Sequence, residues 1–419
     1  MCCSAALPPG PDYNGPMATV NRRDFTRAAS AAAGRALLAA PAKPKIDDVL
    51  RHGMEARRIP AVVAMFANGH ETLYQGAFGT RDTSGVAVRT DSIFSIASMT
   101  KAIASVAALQ LVERGKLRLD EPVARFLPQL AKPQVLYGFE NNLPRFRPAR
   151  TALTLRHLLT HTSGFCYSRW DADMFRYSTL PGLPQDALQP LMFEPGTRWQ
   201  YGEGIDWAGR LVEAISGLSL EAYCQTNILQ PLAMHDTSFI LPAAKFERLV
   251  SLYDRDPADG LLKQRERKLP EPPKIYNGGG GLYSTVADYT RFLQMILGNG
   301  ARGGTRVLQP ETVASLSVNQ LGPLTAGKMK SFAPQASADV DIQPGHKEKW
   351  SLAFLINTTA YPGGRSAGSL AWAGLYNTFY WLDPKRSVCG VIMMQFLPFV
   401  DKEAVGMLND FERAAYASL

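Results

Sequence analysis

Phe94-Ser95-Ile96-Ala97-Ser98-Met99-Thr100-Lys101 is the stretch from which the rest of the chain can be read. Ser98 is the only serine with a lysine three residues later, and an apolar run follows through Ile103, Val106, Leu109 and Val112 to Gly115. That pattern predicts a buried helix closed by a glycine cap. Residues i and i+3 share a helix face, so the Ser98 hydroxyl and the Lys101 amine can meet near the helix N-terminus. A serine alcohol must lose its proton as it attacks. A desolvated amine can take that proton, and the unpaired N–H groups of the first turn favour negative charge on oxygen. Taken alone, the pair also fits a capping serine followed by a surface lysine.

The 419 residues are 46% hydrophobic and 20% charged, which suits a globular protein with a large core. No apolar run reaches the ~18 residues a spanning helix needs, so no integral membrane segment is expected. The net charge of +8 comes from scattered residues. Its densest stretch, Lys263 to Lys274, also holds Glu266, Glu271 and prolines, and reads as a solvated loop and not a nucleic-acid surface. Cysteines at 2, 3, 166, 224 and 389 have no metal-ligand spacing and form no evident disulfide framework.

At the start, Asn21-Arg22-Arg23-Asp24-Phe25-Thr26-Arg27 precedes a small-residue stretch ending Leu37-Leu38-Ala39-Ala40-Pro41-Ala42. This has the layout of a twin-arginine signal for export to the periplasm; a disordered leader on a cytoplasmic protein is the alternative. Residues 1–42 are therefore set apart. An amphipathic helix is expected over 44–60, then strands Ala61 to Phe66 and Glu71 to Phe78. From Leu119 to about Leu269 the strand signal nearly vanishes, and helices are expected at Thr154 to Leu159, Asp206 to Ile215 and Leu220 to Leu229. Strands return from Trp350, with one run from Leu370 to Leu382 and another from Val388 to Phe396, before a last helix from Asp401 to Tyr416. The expected fold is α/β of the α+β type: an antiparallel sheet flanked by helices, built from both chain ends (43–118 and 275–419), with a mainly helical inserted subdomain at 119–274.

Two further stretches offer chemistry. Glu194-Pro195-Gly196-Thr197-Arg198-Trp199-Gln200-Tyr201-Gly202-Glu203 presents Tyr201 on a loop before a helix. A phenol there can shuttle a proton beside an amine, or simply pack. Ala371-Trp372-Ala373-Gly374-Leu375-Tyr376-Asn377 lies on an expected strand, where Gly374 invites close approach by a ligand and a backbone N–H could join that of Ser98 as an oxyanion donor. A plain core strand is the alternative.

Together these boxes resemble the serine β-lactamase and DD-peptidase superfamily, and within it the class C β-lactamases and family VIII carboxylesterases. The matching parts are Ser98-Met99-Thr100-Lys101, His161-Thr162-Ser163-Gly164, Pro195-Gly196-Thr197 leading to Tyr201, Gly279-Gly280-Gly281-Leu282-Tyr283-Ser284-Thr285 with Asp288, and Trp372-Ala373-Gly374, over residues 46 to the C-terminus. The resemblance implies catalysis by Ser98, Lys101 and Tyr201, with an acyl-enzyme on Ser98 and an oxyanion held by the N–H groups of Ser98 and Leu375. It implies no metal and no cofactor. Trp372 stands where β-lactamases carry the lysine of a Lys-Thr-Gly box, as in the family VIII esterases, which points to a small neutral ester as substrate with cephalosporin hydrolysis as a side activity. Glu203 stands where β-lactamases carry asparagine. Facing the pocket, it would favour charged Lys101 and shift proton transfer to Tyr201; it can equally face solvent. The rivals are a β-lactamase or D-amino-acid peptidase, and a non-catalytic scaffold of the same fold.

Two local patterns mislead. Gly364-Arg365-Ser366-Ala367-Gly368 fits the nucleophile elbow of α/β-hydrolases, but no histidine follows it and it leads from a loop into a strand. His157 and His161 lack the intervening glutamate of a metalloprotease pair and read as structural.

Overall fold

The computed structural model describes residues 45–183, 188–342 and 344–419, so the expected leader at 1–42 lies outside the described residues. Helix α1, Ile46–Arg57, opens with Asp47 and Asp48 against its positive end and stops at Arg58 in the left-handed conformation. It buries Ile46 and Leu50 against the C-terminal helix α5, Lys402–Ala417, whose first turn is capped by the Asp401 carboxylate.

Strands β1, Ala61–Asn68, and β2, Thr72–Gly79, follow α1 as a hairpin. The remaining strands of this sheet come from the far end of the chain: β3, Lys349–Trp350; β4, Leu355–Ile356; β5, Leu370–Gly374; β6, Thr378–Asp383; and β7, Val388–Met393. Their order is β3-β4-β5-β6-β7-β1-β2, antiparallel throughout, with Val63 opposite Met393. β1 and β5 to β7 are buried along nearly their whole length because helices cover the sheet: α1 and α5, and on the side leading to the site α4, Val286–Leu297. The antiparallel sheet with helices is the fold class expected.

Three local expectations are corrected. The run Leu370 to Leu382 is a hairpin and not one strand. It turns at Leu375 to Asn377, where Asn377 adopts φ 60° and its side-chain amide donates to the carbonyls of Phe396 (2.9 Å) and Pro398 (2.8 Å). Residues 119–269 hold two hairpins: Gln134–Glu140 with Leu143–Pro148, and Tyr253–Arg255 with Leu262–Gln264. The first turns on Asn141 and Asn142, both at positive φ, which is the two-residue geometry that matches strand twist. Finally, the Leu220 to Leu229 helix is α-helical only to Cys224 and continues as a π turn over Gln225–Leu229. No helix among the described residues is long and apolar enough to cross a membrane.

Candidate active site

Helix α2, Thr100–Glu113, has no polar face: every residue from Thr100 to Leu111 is buried. Lys101 therefore enters the core at its second position, only 1% exposed. Burying an amine is costly unless its N–H groups are matched. Here Nζ meets three acceptors, the Gly279 carbonyl at 2.6 Å, the Tyr167 hydroxyl at 3.1 Å and Ser98 Oγ at 3.2 Å. Ser98 sits in the single 3-10 turn Ala97–Met99 that feeds α2.

That turn is pinned from several sides. Phe94 and Ser95 pair with Ser284 and Tyr283, the Ser95 N–H donates to Gln395 Oε1 (3.0 Å), and the Ile96 N–H donates to the Leu282 carbonyl (3.0 Å). Ala97 is held at φ 42°, a conformation an alanine adopts only under such constraint. Neither the Ser98 N–H nor the Leu375 N–H donates to another group among the described residues. Both residues line one cavity of about 220 Å³, along with Tyr167, Arg169, Tyr201 and Trp372.

Helix α3, Gly204–Ser216, supplies the wall behind the amine. Asp206 Oδ1 accepts the Gly279 N–H at 2.9 Å, while the Gly279 carbonyl accepts from Lys101. A side chain at Gly279 would place Cβ 2.3 Å from Asp206 Oδ2, so the contact needs glycine there. Tyr167 completes the arrangement, its hydroxyl 3.5 Å from Asp206 Oδ2. Burial raises the Asp206 carboxyl, opposed by Lys101 and the Gly279 N–H. Burial, then Asp206, pushes the Tyr167 phenol well above its usual range.

Tyr201 presents its ring face to the amine, with Nζ 4.7 Å from the centroid. Its oxygen receives the Trp372 indole N–H at 3.0 Å. The ring is packed by His161 (centroids 4.6 Å apart), Trp372 (4.9 Å) and Trp170 (5.4 Å). Burial, then the nearby Lys101, keeps His161 neutral, and its Nδ1 accepts the Gly202 N–H at 3.4 Å. No group of three or more metal-ligating side chains occurs among the described residues.

Glu203 lines a second cavity of about 650 Å³ with Asp206, Trp207, Phe239 and Glu271; this cavity shares Tyr167 and Gly279 to Gly281 with the first. Burial and then Asp206 push the Glu203 carboxyl up to about 7, and Gln189 donates to it at 3.3 Å. Ser366 is remote in role: its N–H donates to Asp383 and its carbonyl accepts from Asn357, as in any structural loop.

The structure thus brings Ser98, Lys101, Tyr201, Trp372, Gly374 and Leu375 to one place, with Glu203 on the adjoining cavity. Close approach at Gly374 is made by the chain itself and not by a ligand: a Cβ there would lie 2.2 Å from the Ile96 carbonyl oxygen. Tyr167 and Asp206 complete the amine's surroundings and were not singled out from sequence, and Gly279 was quoted only as the start of a matching box and not as an acceptor for Lys101. Tyr167 lies three residues past His161-Thr162-Ser163-Gly164 and Asp206 five past Tyr201, so proximity to the two boxes was the one available signal.

The model of the beta-lactamase family matches residues 46–413. Monacolin J acid methylbutanoyltransferase of Aspergillus terreus is 31% identical over 406 residues, covering 90% of this chain and 97% of its own. Lovastatin esterase of Penicillium rubens is 31% identical over 371 residues, covering 83% and 91%. A solved mutant of simvastatin synthase from Aspergillus terreus superposes with a TM-score of 0.79 at 32% identity, covering 89% of this chain and 96% of that one. Sequence along nearly the whole described length and the course of the backbone agree, and the chain belongs to the beta-lactamase family of serine hydrolases and acyltransferases.

Proposed function

We propose that this protein hydrolyses short-chain carboxylic esters through an acyl-enzyme on Ser98. The observation that carries the reading is the Ser98 hydroxyl 3.2 Å from the buried Lys101 amine in a cavity lined also by Leu375, where the N–H groups of Ser98 and Leu375 have no acceptor among the described residues. Ser98 Oγ attacks the ester carbonyl while Lys101 and Tyr201 relay its proton. The N–H groups of Ser98 and Leu375 hold the oxyanion. Tyr201 accepts a hydrogen bond from Trp372, which leaves its own O–H to protonate the departing alkoxide. Water then cleaves the acyl-enzyme. Trp372 in place of a lysine supports esters over β-lactams, and two relatives carry names of acyl-ester chemistry, an esterase and a methylbutanoyltransferase.

Steady-state hydrolysis of p-nitrophenyl butyrate beside a chromogenic cephalosporin, in the parent and Ser98→Ala, tests the reading. The expected result is a kcat/KM favouring the ester by orders of magnitude, with both activities lost in Ser98→Ala. A cephalosporin preference makes the protein a β-lactamase, and ester turnover that survives Ser98→Ala removes the nucleophile.

The larger adjoining cavity favours a second reading, in which an alcohol takes the acyl group in place of water. It predicts that adding a bulky alcohol to a butyrate donor diverts product from butyric acid to a new ester.

A further inference from the structure

The ester reading leaves one charged group in the nucleophile's cavity without a task. Arg169 lines the same cavity as Ser98, Tyr201, Trp372 and Leu375. Its guanidinium lies 5.6 Å from the Tyr167 ring centroid and 5.3 Å from that of Trp170, so two aromatic faces hold it in position. Its backbone is fixed as well, because the Arg169 carbonyl accepts the Phe332 N–H at 2.8 Å.

No side-chain carboxylate, hydroxyl or carbonyl among the described residues pairs with this guanidinium, whereas other arginines of the same region are matched. Arg198 reaches Asp171 at 2.5 Å, Arg147 reaches Glu194 at 2.7 Å and Arg210 faces Glu213 at 3.9 Å. The acidic groups nearest the site, Glu203 and Asp206, line the adjoining cavity, and Tyr167 belongs to both linings. Asp206 is already engaged with the Gly279 N–H and Glu203 with Gln189; the Arg169 charge acts on the Glu203 carboxyl through space and lowers it, but no ion pair joins the two. A guanidinium offers five donors in a planar fork that fits a carboxylate, and a cavity of about 220 Å³ is large enough to bring one to it.

We propose that Arg169 is a substrate-recognising residue that receives a carboxylate carried by the ester, so that the protein favours esters with one anionic end over neutral esters of equal length. This rests on the reading of Ser98 as the ester-cleaving nucleophile. It revises the expectation of neutral substrates: the cation lost at Trp372 is replaced by one that enters the cavity from the Ser168–Trp170 turn. The carboxylate can sit on the acyl chain or on the leaving alcohol, and Arg169 meets the same chemistry in either case.

The test uses the full chain with p-nitrophenyl butyrate, the p-nitrophenyl monoester of glutaric acid (carboxylate on the acyl side) and 4-butyryloxybenzoate (carboxylate on the leaving group). For each anionic ester, kcat/KM is divided by that of the butyrate ester in the parent, Arg169→Met and Arg169→Lys. The expected result is a ratio that falls on the order of 10-fold to 100-fold in Arg169→Met for one of the two anionic esters, with partial recovery in Arg169→Lys and a smaller ratio at high salt. The ester whose ratio falls identifies the side that carries the carboxylate. Ratios that stay within about twofold of the parent for both esters, against the larger change a charge-assisted hydrogen bond produces, overturn the proposal.

A binding arm separates this outcome from failure of the ester reading. In Ser98→Ala, calorimetry with monomethyl glutarate, 4-butyryloxybenzoate and their neutral counterparts methyl butyrate and phenyl butyrate reads recognition without turnover. Tighter binding of either anion that is lost in Ser98→Ala with Arg169→Met supports Arg169 even if no ester is cleaved. Binding of both anions no tighter than that of their neutral counterparts overturns it.

Discussion

Asp206 acts on Lys101 at second hand, since its carboxylate holds the Gly279 peptide whose carbonyl receives the shortest of the amine's three contacts. Removing the carboxylate by Asp206→Ala frees that peptide and lets the amine drift from Ser98. We expect kcat to fall on the order of 100-fold with KM little changed, the scale of effect that a displacement of about 1 Å produces. Asp206→Asn, whose amide oxygen still accepts the Gly279 N–H, should recover most of the loss, and steady-state kinetics on p-nitrophenyl butyrate separates the two. The tyrosines divide differently. Tyr201→Phe removes the O–H proposed to protonate the leaving group, and should cost about 100-fold to 10,000-fold in kcat, the usual contribution of a positioned acid. That cost should shrink with p-nitrophenol, which leaves without help, and grow with an alkyl ester of the same acid. Ser98 and Lys101 were legible because their relation is local, three residues apart where a 3-10 turn runs into α2. Tyr167 and Gly279 reach Lys101 from 66 and 178 positions away, and no periodicity in the sequence encodes such a meeting.

The β5–β6 hairpin shows how an element can be misread from the same residues that reveal its role. Leu370 to Leu382 is apolar almost throughout because both strands are covered by helices, so no alternation marked the turn. Asn377 was its one cue. Its left-handed backbone and its two side-chain bonds to the 396–398 segment are what reverse the chain beside Ser98. Gly374 ends β5 where the strand meets the Ile96 carbonyl and the Thr378 side chain, and a Cβ there would lie 2.2 Å and 2.3 Å from their oxygens. Gly374→Ala must therefore push the hairpin off the nucleophile's turn. We expect it to lower stability by about 1–3 kcal/mol, as overpacking does, and to lower kcat for esters far more than a loss of folded protein explains. Thermal melting together with kinetics on the folded fraction checks both effects, and unchanged kcat would mean that Leu375 is not an oxyanion donor.

At the scale of the molecule, strands from both chain ends form one sheet because β1 lies between β2 and β7, so the first hairpin and the last join through a single antiparallel pairing. That closure was legible from apolar strands at both ends. The edge strand β3 and its neighbour β4, two residues each, were too short to leave a pattern. The loops around that edge bury Glu348, 6% exposed, whose Oε2 has no hydrogen-bond partner among the described residues and whose Oε1 lies 3.5 Å from the Tyr361 hydroxyl. Burial pushes its carboxyl up to about 7 from an ordinary 4.5, with Arg365 opposing and Asp341 adding to the rise. Between those two values the folded state holds a proton that the unfolded chain releases, so stability is greatest near pH 4.5, declines as pH rises to about 7, and is level above it. Glu203, also raised to about 7, acts with the same sign. Asp236 acts oppositely, since hydrogen bonds from Arg248 and Lys245 hold its carboxyl down to about 2 and its contribution is lost only in stronger acid. Replacing Glu348 with glutamine removes the ionisation while keeping the shape. Glu348→Gln should therefore be more stable than the parent at pH 8, by on the order of 3 kcal/mol, and the two should converge toward pH 4.5. Denaturant melts of both proteins at pH 5, 6, 7 and 8 read that gap directly; a gap that is constant with pH would show that Glu348 is ionised throughout and has found a partner for its charge.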